Sequence, residues 1–113
     1  MRETQVGEMY LVKCGTDGDS SIVKGVRPVV VVIAEANSPI AYVVPFTGSK
    51  KRANKNHVRV EGYGLDKPSV TLIEQTFPID KLKLGKLLGS LSGTEELECI
   101  LKNVSCYFAR KIA

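Results

Sequence analysis

The chain has 113 residues, 43% hydrophobic and 25% charged, with 16 lysines and arginines against 12 aspartates and glutamates. That length serves one domain, 1–113, with one modest core, and no apolar run approaches the ~20 residues of a membrane span. The formal net charge of +4 suits a polyanionic or acidic partner. The opening MRETQVGEMYLV carries no hydrophobic signal region, so the expected location is the cytoplasm. Cys14, Cys99 and Cys106 are odd in number and form no C-x-x-C, which argues against a disulfide framework or a zinc site.

In chain order the sequence reads mostly as strands, then a helix. Val6–Cys14 is a first strand, and Gly15–Gly25 a polar, glycine-rich loop. RPVVVVIAEA and PIAYVVPFT are two strands around a tight turn at Asn37-Ser38. GSKKRANKN, 48–56, is a basic loop; His57–Gly64 alternates and breaks at glycines; Ser69–Phe77 is another strand. Pro78–Ser92 reads as a short helical turn, a glycine and one more strand. Ser92 with Glu95 makes a capping box for the last helix, where Leu97, Ile100, Leu101, Val104 and Phe108 form one apolar stripe. Cys99 and Cys106, seven apart on one helical face, are expected to be buried structural thiols. The fold class is mainly β (α+β): a small twisted antiparallel sheet, or SH3-like partly open barrel, with a short helix and a C-terminal helix.

KGVRPVVVV, 24–32, sets an arginine at the mouth of an apolar strand. Pro28 lacks a backbone donor and belongs at a strand start, and the β-branched run behind it reads as a buried strand. Arg27 is therefore held at a rim, either as a solvated surface charge or as part of a site. If Asn37-Ser38 is a two-residue turn, paired positions sum to about 75, which sets Arg27 opposite Gly48 and next to Thr47. The basic loop with Lys50, Lys51, Arg52 and Lys55 begins there. A guanidinium, a hydroxyl and a positive surround suit a phosphodiester, because a guanidinium donates two parallel hydrogen bonds to phosphate oxygens.

GEMYLV, KGVRPVVVV, VVPFT, NHVRV, LDKPSVTLIEQ, PIDKLKLGKLLGSLS and the terminal helix resemble, in that order, the MazF/PemK-type ribonuclease toxins of bacterial toxin–antitoxin pairs. The resemblance covers nearly the whole chain. It implies a small barrel-like sheet, a homodimer, and sequence-selective, metal-independent cleavage of single-stranded RNA with no cofactor. It also implies an antitoxin partner with an acidic segment that competes with RNA. By resemblance the catalytic arginine of the G-x-R-P motif falls on Arg27 and the catalytic threonine on Thr47. Ser21, Lys50, Lys51, Arg52, His57, Glu74 and Gln75 are the RNA-binding candidates. Two departures stand out: Ser20-Ser21-Ile22 keeps only the serine of the family's Gly-Ser-Glu, and Phe77 lies where many members carry an arginine.

Several of these residues have a plainer reading. A lone histidine, His57, is more often structural than an acid or base. Glu74-Gln75 either contacts bases or ends a strand. Gly62-Tyr63-Gly64 is a turn in which Tyr63 is a candidate stacking platform. Two other functions fit the same fold class: a gyrase-poisoning toxin that uses its C-terminal helix, and a small β-barrel binding module without catalysis.

Overall fold

The computed structural model describes residues 3–14, 25–48 and 56–112. Its elements are β1 (Glu8–Cys14), β2 (Gly25–Ala34), β3 (Ile40–Thr47), β4 (Arg59–Val60), β5 (Ser69–Thr71), β6 (Phe77–Asp80), β7 (Leu87–Ser90) and α1 (Glu95–Ile112). Short 3₁₀ turns stand at Ile73–Gln75 and Lys81–Lys83. The strands run in the order β4-β5-β3-β2-β1-β7 in one antiparallel sheet, with β6 also paired to β3. Among the described residues no helix is long and apolar enough to cross a membrane.

Two sequence readings become one irregular segment here. The expected strand Ser69–Phe77 is instead β5, a 3₁₀ turn and the start of β6. Phe46 and Thr47 of β3 pair with β5, while Ile40 to Val43 pair with β6. Pro45, between those two stretches, has no N–H to give a ladder. Its carbonyl accepts from Leu72 N–H at 2.8 Å, and the chain leaves the sheet for one turn. The expected strand 57–64 shrinks to the two residues of β4.

The sheet curls until its ends meet. The turn after β4 lies against the backbone of β7, so that a Cβ at Gly64 would strike the Leu88 carbonyl oxygen and one at Gly89 the Tyr63 carbonyl oxygen. Both faces of the sheet are packed. Met9, Val30, Val32, Val44, Phe46, Val60 and Ile73 meet Leu97 and Ile100 of α1 on one face. Tyr10, Val12, Cys14, Val29, Val31, Ala41, Val43 and Ile79 form the other cluster. The alternation of β2 divides its valines between the two, as the two-residue period of a strand requires.

Thr71 is fully buried on β5, and its Oγ1 accepts from Val58 N–H at 2.9 Å. Thr71→Val keeps the shape and removes the acceptor, leaving a buried amide unpaired. A loss of about 1–3 kcal/mol in chemical unfolding is expected.

The last helix starts one motif later than the capping box implied. Thr94, not Ser92, caps it: Thr94 Oγ1 accepts from Leu97 N–H at 3.1 Å. Leu97 and Ile100 are buried, while Leu101, Val104 and Phe108 are only half-covered and line a groove of about 490 Å³ with Val32, Ile33 and Tyr42. The cysteine expectation fails for the helix. Cys99 and Cys106 are exposed, and only Cys14 is buried. At about 100° per residue they stand roughly 180–200° round the helix from Leu97, so the face they share points away from the sheet. Thiol titration of the native protein should count two accessible groups and find the third only on unfolding. Three equally fast groups would contradict the burial of Cys14, whose thiol is pushed up by that burial and pulled back by the nearby Arg27 charge.

Candidate functional site

The site begins with the β2–β3 ladder. The turn is centred on Ala36-Asn37 rather than Asn37-Ser38: Ser38 N–H donates to the Glu35 carbonyl at 3.3 Å, and Asn37 takes φ 69°. Asparagine tolerates that left-handed conformation better than most residues. Near the turn the pairs are Ile33–Tyr42 and Ala34–Ala41, a sum of 75. Between Val31 and Ile33 the register slips by one, and the pairs Val31–Val43, Val30–Val44 and Val29–Pro45 sum to 74. Continued two residues along, that register sets Arg27 level with Thr47 itself rather than with Gly48. Directly opposed residues project to the same face. The bulge at Val32 also turns Ile33 toward α1, to the face that Tyr42 shares with Val44 and Phe46 by alternation, which explains why both line the apolar groove.

Arg27 pairs with Val12 of β1. Strand alternation puts its side chain on the face that carries Val29 and Val31, and Thr47 on the same face as Val43. Arg27 and Thr47 are both half-buried. Beside them a cleft of about 320 Å³ opens between the ends of β2 and β3. Arg27, Lys67 and Lys86 line it with Gly48 and Ser69, over Pro28, Phe46, Leu65 and Leu88. Among the described residues Asp66 is the one carboxylate in that lining.

His57 and Glu74 form a second group, next to α1. His57 Nε2 lies 2.9 Å from Glu74 Oε1, and the imidazole is only 10% exposed. Its Nδ1 is buried with no hydrogen-bond partner. Facing a carboxylate, Nε2 carries the proton in the neutral ring, so Nδ1 holds an unused lone pair. The segment is tied to the helix by Asn103 Nδ2, which donates to the Asn56 carbonyl at 3.0 Å. Arg110 Nη2 also donates to Asn56 Oδ1, at 3.4 Å. Glu74 and Gln75 belong to the 3₁₀ turn, so they stand off the sheet instead of ending a strand. Tyr63 lies in the expected turn with φ 56°; its hydroxyl donates to Glu96 Oε2 at 3.4 Å, and that carboxylate holds the phenol above its ordinary range.

Ser21, Ile22, Lys50, Lys51 and Arg52 lie outside the described residues. Phe77 pairs with Val43 and packs, half-buried, on the second cluster. The position where many relatives carry an arginine is thus filled by an apolar side chain that serves the core. Among the described residues no three His, Cys, Asp or Glu side chains gather as a metal site would need.

The model of the PemK-like, MazF-like toxins of type II toxin–antitoxin systems matches residues 5–104. The chain belongs to this family. It is 39% identical over 80 residues to Endoribonuclease MazF of Staphylococcus epidermidis, an alignment covering 66% of this chain and 67% of that one. Among solved structures, the fold resembles Mycobacterium tuberculosis toxin MazF-mt6, with a TM-score of 0.70 at 21% identity over 90% of this chain and 96% of that one. It also resembles the MazE–MazF crystal structure from Deinococcus radiodurans, with a TM-score of 0.71 at 14% identity over 96% and 97% of the two chains. A mycobacterial endoribonuclease in complex with its cognate antitoxin matches with a TM-score of 0.75 at 16% identity, over 94% and 95%. The half-barrel with a C-terminal helix is therefore the family's fold.

Sequence reasoning missed two features of this member of the family. One is the cleft itself, which is assembled from residues far apart in the chain: Arg27 on β2, Gly48 after β3, Leu65 to Lys67 with Ser69, and Lys86 and Leu88. The other is Lys67. Its signal was present in LDKPSV, a lysine whose backbone is restricted by the proline that follows.

Proposed function

We propose that the protein is a sequence-selective, metal-independent endoribonuclease, the toxin of a toxin–antitoxin pair, acting on single-stranded RNA as a homodimer. Family membership and the likeness to a named endoribonuclease support the activity. The observation that carries the assignment of residues is the β2–β3 register, which leads Arg27 and Thr47 to one level on one face.

RNA brings its own nucleophile. The 2′-oxygen forms a bond to the adjacent phosphorus as the bond to the 5′-oxygen breaks. The proton leaves the 2′-hydroxyl, and the departing 5′-oxygen takes one up. The products are a 2′,3′-cyclic phosphate and a 5′-hydroxyl. Negative charge grows on the non-bridging oxygens, and preorganised donors aimed at it lower the barrier. Arg27 is that donor. A guanidinium offers five donors and no acceptor, so it is a poor general base. Thr47 orients the phosphate. The His57–Glu74 pair fixes the turn from which Glu74 and Gln75 reach bases. An antitoxin with an acidic segment covers the same cationic surface and competes with RNA.

The test is incubation with a long single-stranded RNA in EDTA, with mapping of the ends. Discrete fragments with cyclic phosphate ends are expected, and none from the matching DNA, which lacks the 2′-hydroxyl. Cleavage that stops in EDTA and returns with magnesium would refute the reading.

A further inference from the structure

We propose that Lys67, whose side chain lies across Gly48 in the cleft that Arg27 also lines, is a further phosphate-binding residue that holds the RNA strand beside the reacting phosphate. This rests on the ribonuclease reading above. A Cβ at Gly48 would collide with Lys67 Cε and stand 2.9 Å from its Nζ. The lysine arm therefore occupies the space a side chain at position 48 would fill. The β3–β5 ladder pairs Thr47 with Val70. Continued by one residue it sets Gly48 level with Ser69, two positions from Lys67.

The lysine backbone is held for this task. Pro68 restricts the residue before it to extended conformations, and the Lys67 carbonyl accepts from Ser69 Oγ at 3.0 Å. Ser69 is itself buried. Among the described residues Lys67 Nζ has no salt bridge to a carboxylate. Among the described residues that line the cleft, Arg27, Lys67 and Lys86 stand against the carboxylate of Asp66, an excess of positive charge. A compact, strongly hydrated ammonium on a flexible stem acts on phosphate as a point charge. Such a contact strengthens binding of the strand in the ground state and transition state alike, so it lowers KM and leaves kcat nearly unchanged.

The experiment uses the full chain, the RNA whose cut site has been mapped, and a 2′-O-methyl oligonucleotide of that sequence as an uncleavable ligand. Lys67→Met is expected to raise KM about tenfold with kcat within about twofold, and to lower the slope of log K against log salt by about 0.7. Lys67→Arg should restore most of the loss. Lys83→Met, an exposed cation outside the cleft, should leave both readouts as in the wild type. Gly48→Ala should mimic Lys67→Met by pushing the arm aside, and in the double variant it should add little. Unchanged KM and salt slope in Lys67→Met would overturn the proposal, as would a loss confined to kcat or full additivity with Gly48→Ala. A wild-type protein that neither cuts nor binds RNA sinks the ribonuclease reading and this inference together. A wild type that cuts normally beside an indistinguishable Lys67→Met sinks this inference alone.

Discussion

Arg27→Ala is expected to slow RNA cleavage about 10²–10³-fold, the usual cost of removing one preorganised donor from a developing oxyanion. The fold should survive. Arg27 sits at the start of β2, where its backbone pairs with Val12, and the core valines begin two residues later. The loss should appear in kcat more than in KM, because the charge it meets grows only in the transition state. Arg27→Lys separates charge from geometry. A lysine keeps the positive charge and gives up the two parallel donors of a guanidinium, so it should recover only part of the rate. Single-turnover cleavage, with a melting curve for each variant, measures both. A folded Arg27→Ala protein that cuts at the wild-type rate would make Arg27 a surface charge, and the opposed positions of Arg27 and Thr47 would then be without consequence for the chemistry.

That opposition was legible in the sequence to within one residue. A turn near Asn37 and two β-branched runs set a sum near 75, and the structure agrees as far as Ile33. The bulge at Val32 then shifts the position level with Arg27, when the register is continued past Val29 and Pro45, from Gly48 to Thr47. Nothing in a run of four valines marks which one is the extra residue, because each fits a pleated, buried surface equally well. Glu8 shows the same limit. A carboxylate in the otherwise apolar stretch GEMYLV, it is buried, with Oε1 accepting from Tyr10 Oη and Gln5 N–H at 2.8 Å each. Those partners arise from the pleat and the preceding turn, not from a pattern of hydrophobicity.

The helix cysteines share a face with each other but not with the apolar stripe. Leu97 and Ile100 of that stripe meet the sheet, and Cys99 and Cys106, about 180–200° round the helix from Leu97, turn outward. The 3₁₀ turn at Ile73–Gln75 was read as strand because TLIEQTF is apolar and β-branched enough to be one. Pro45, on the neighbouring strand, is what interrupts it. Long-range pairing decided that segment, and the local sequence held no trace of the partner.

Closure of the barrel rests on two glycines, and Gly64→Ala should be the most destabilising of the single-methyl changes considered. Gly64 has φ 103°, a conformation that side chains rarely adopt, and its added Cβ would meet the Leu88 carbonyl oxygen. Neither the backbone strain nor the collision can be relieved by a side-chain rotation, because both partners are main chain. Strain of this kind costs about 1–3 kcal/mol, and forced overpacking adds about 1–3 kcal/mol. Gly62 is the control. It has φ 82° but open space around it, so Gly62→Ala should lose only the strain. Gly89→Ala tests the collision alone: its φ is not in the left-handed range, yet its Cβ would strike the Tyr63 carbonyl oxygen. For a domain of this size the Gly64 variant should melt more than ~10 °C below the wild type, with Gly89→Ala next and Gly62→Ala least affected. Because one parting of the turn from β7 would accommodate both methyl groups, the double variant Gly64→Ala/Gly89→Ala should fall short of the sum. Gly64 and Leu88 also line the cleft beside Arg27, so the same parting should lower RNA cleavage at temperatures where the protein is still folded. Equal melting temperatures for Gly64→Ala and Gly62→Ala would mean that the contact between the turn and β7 yields freely and does not hold the sheet closed.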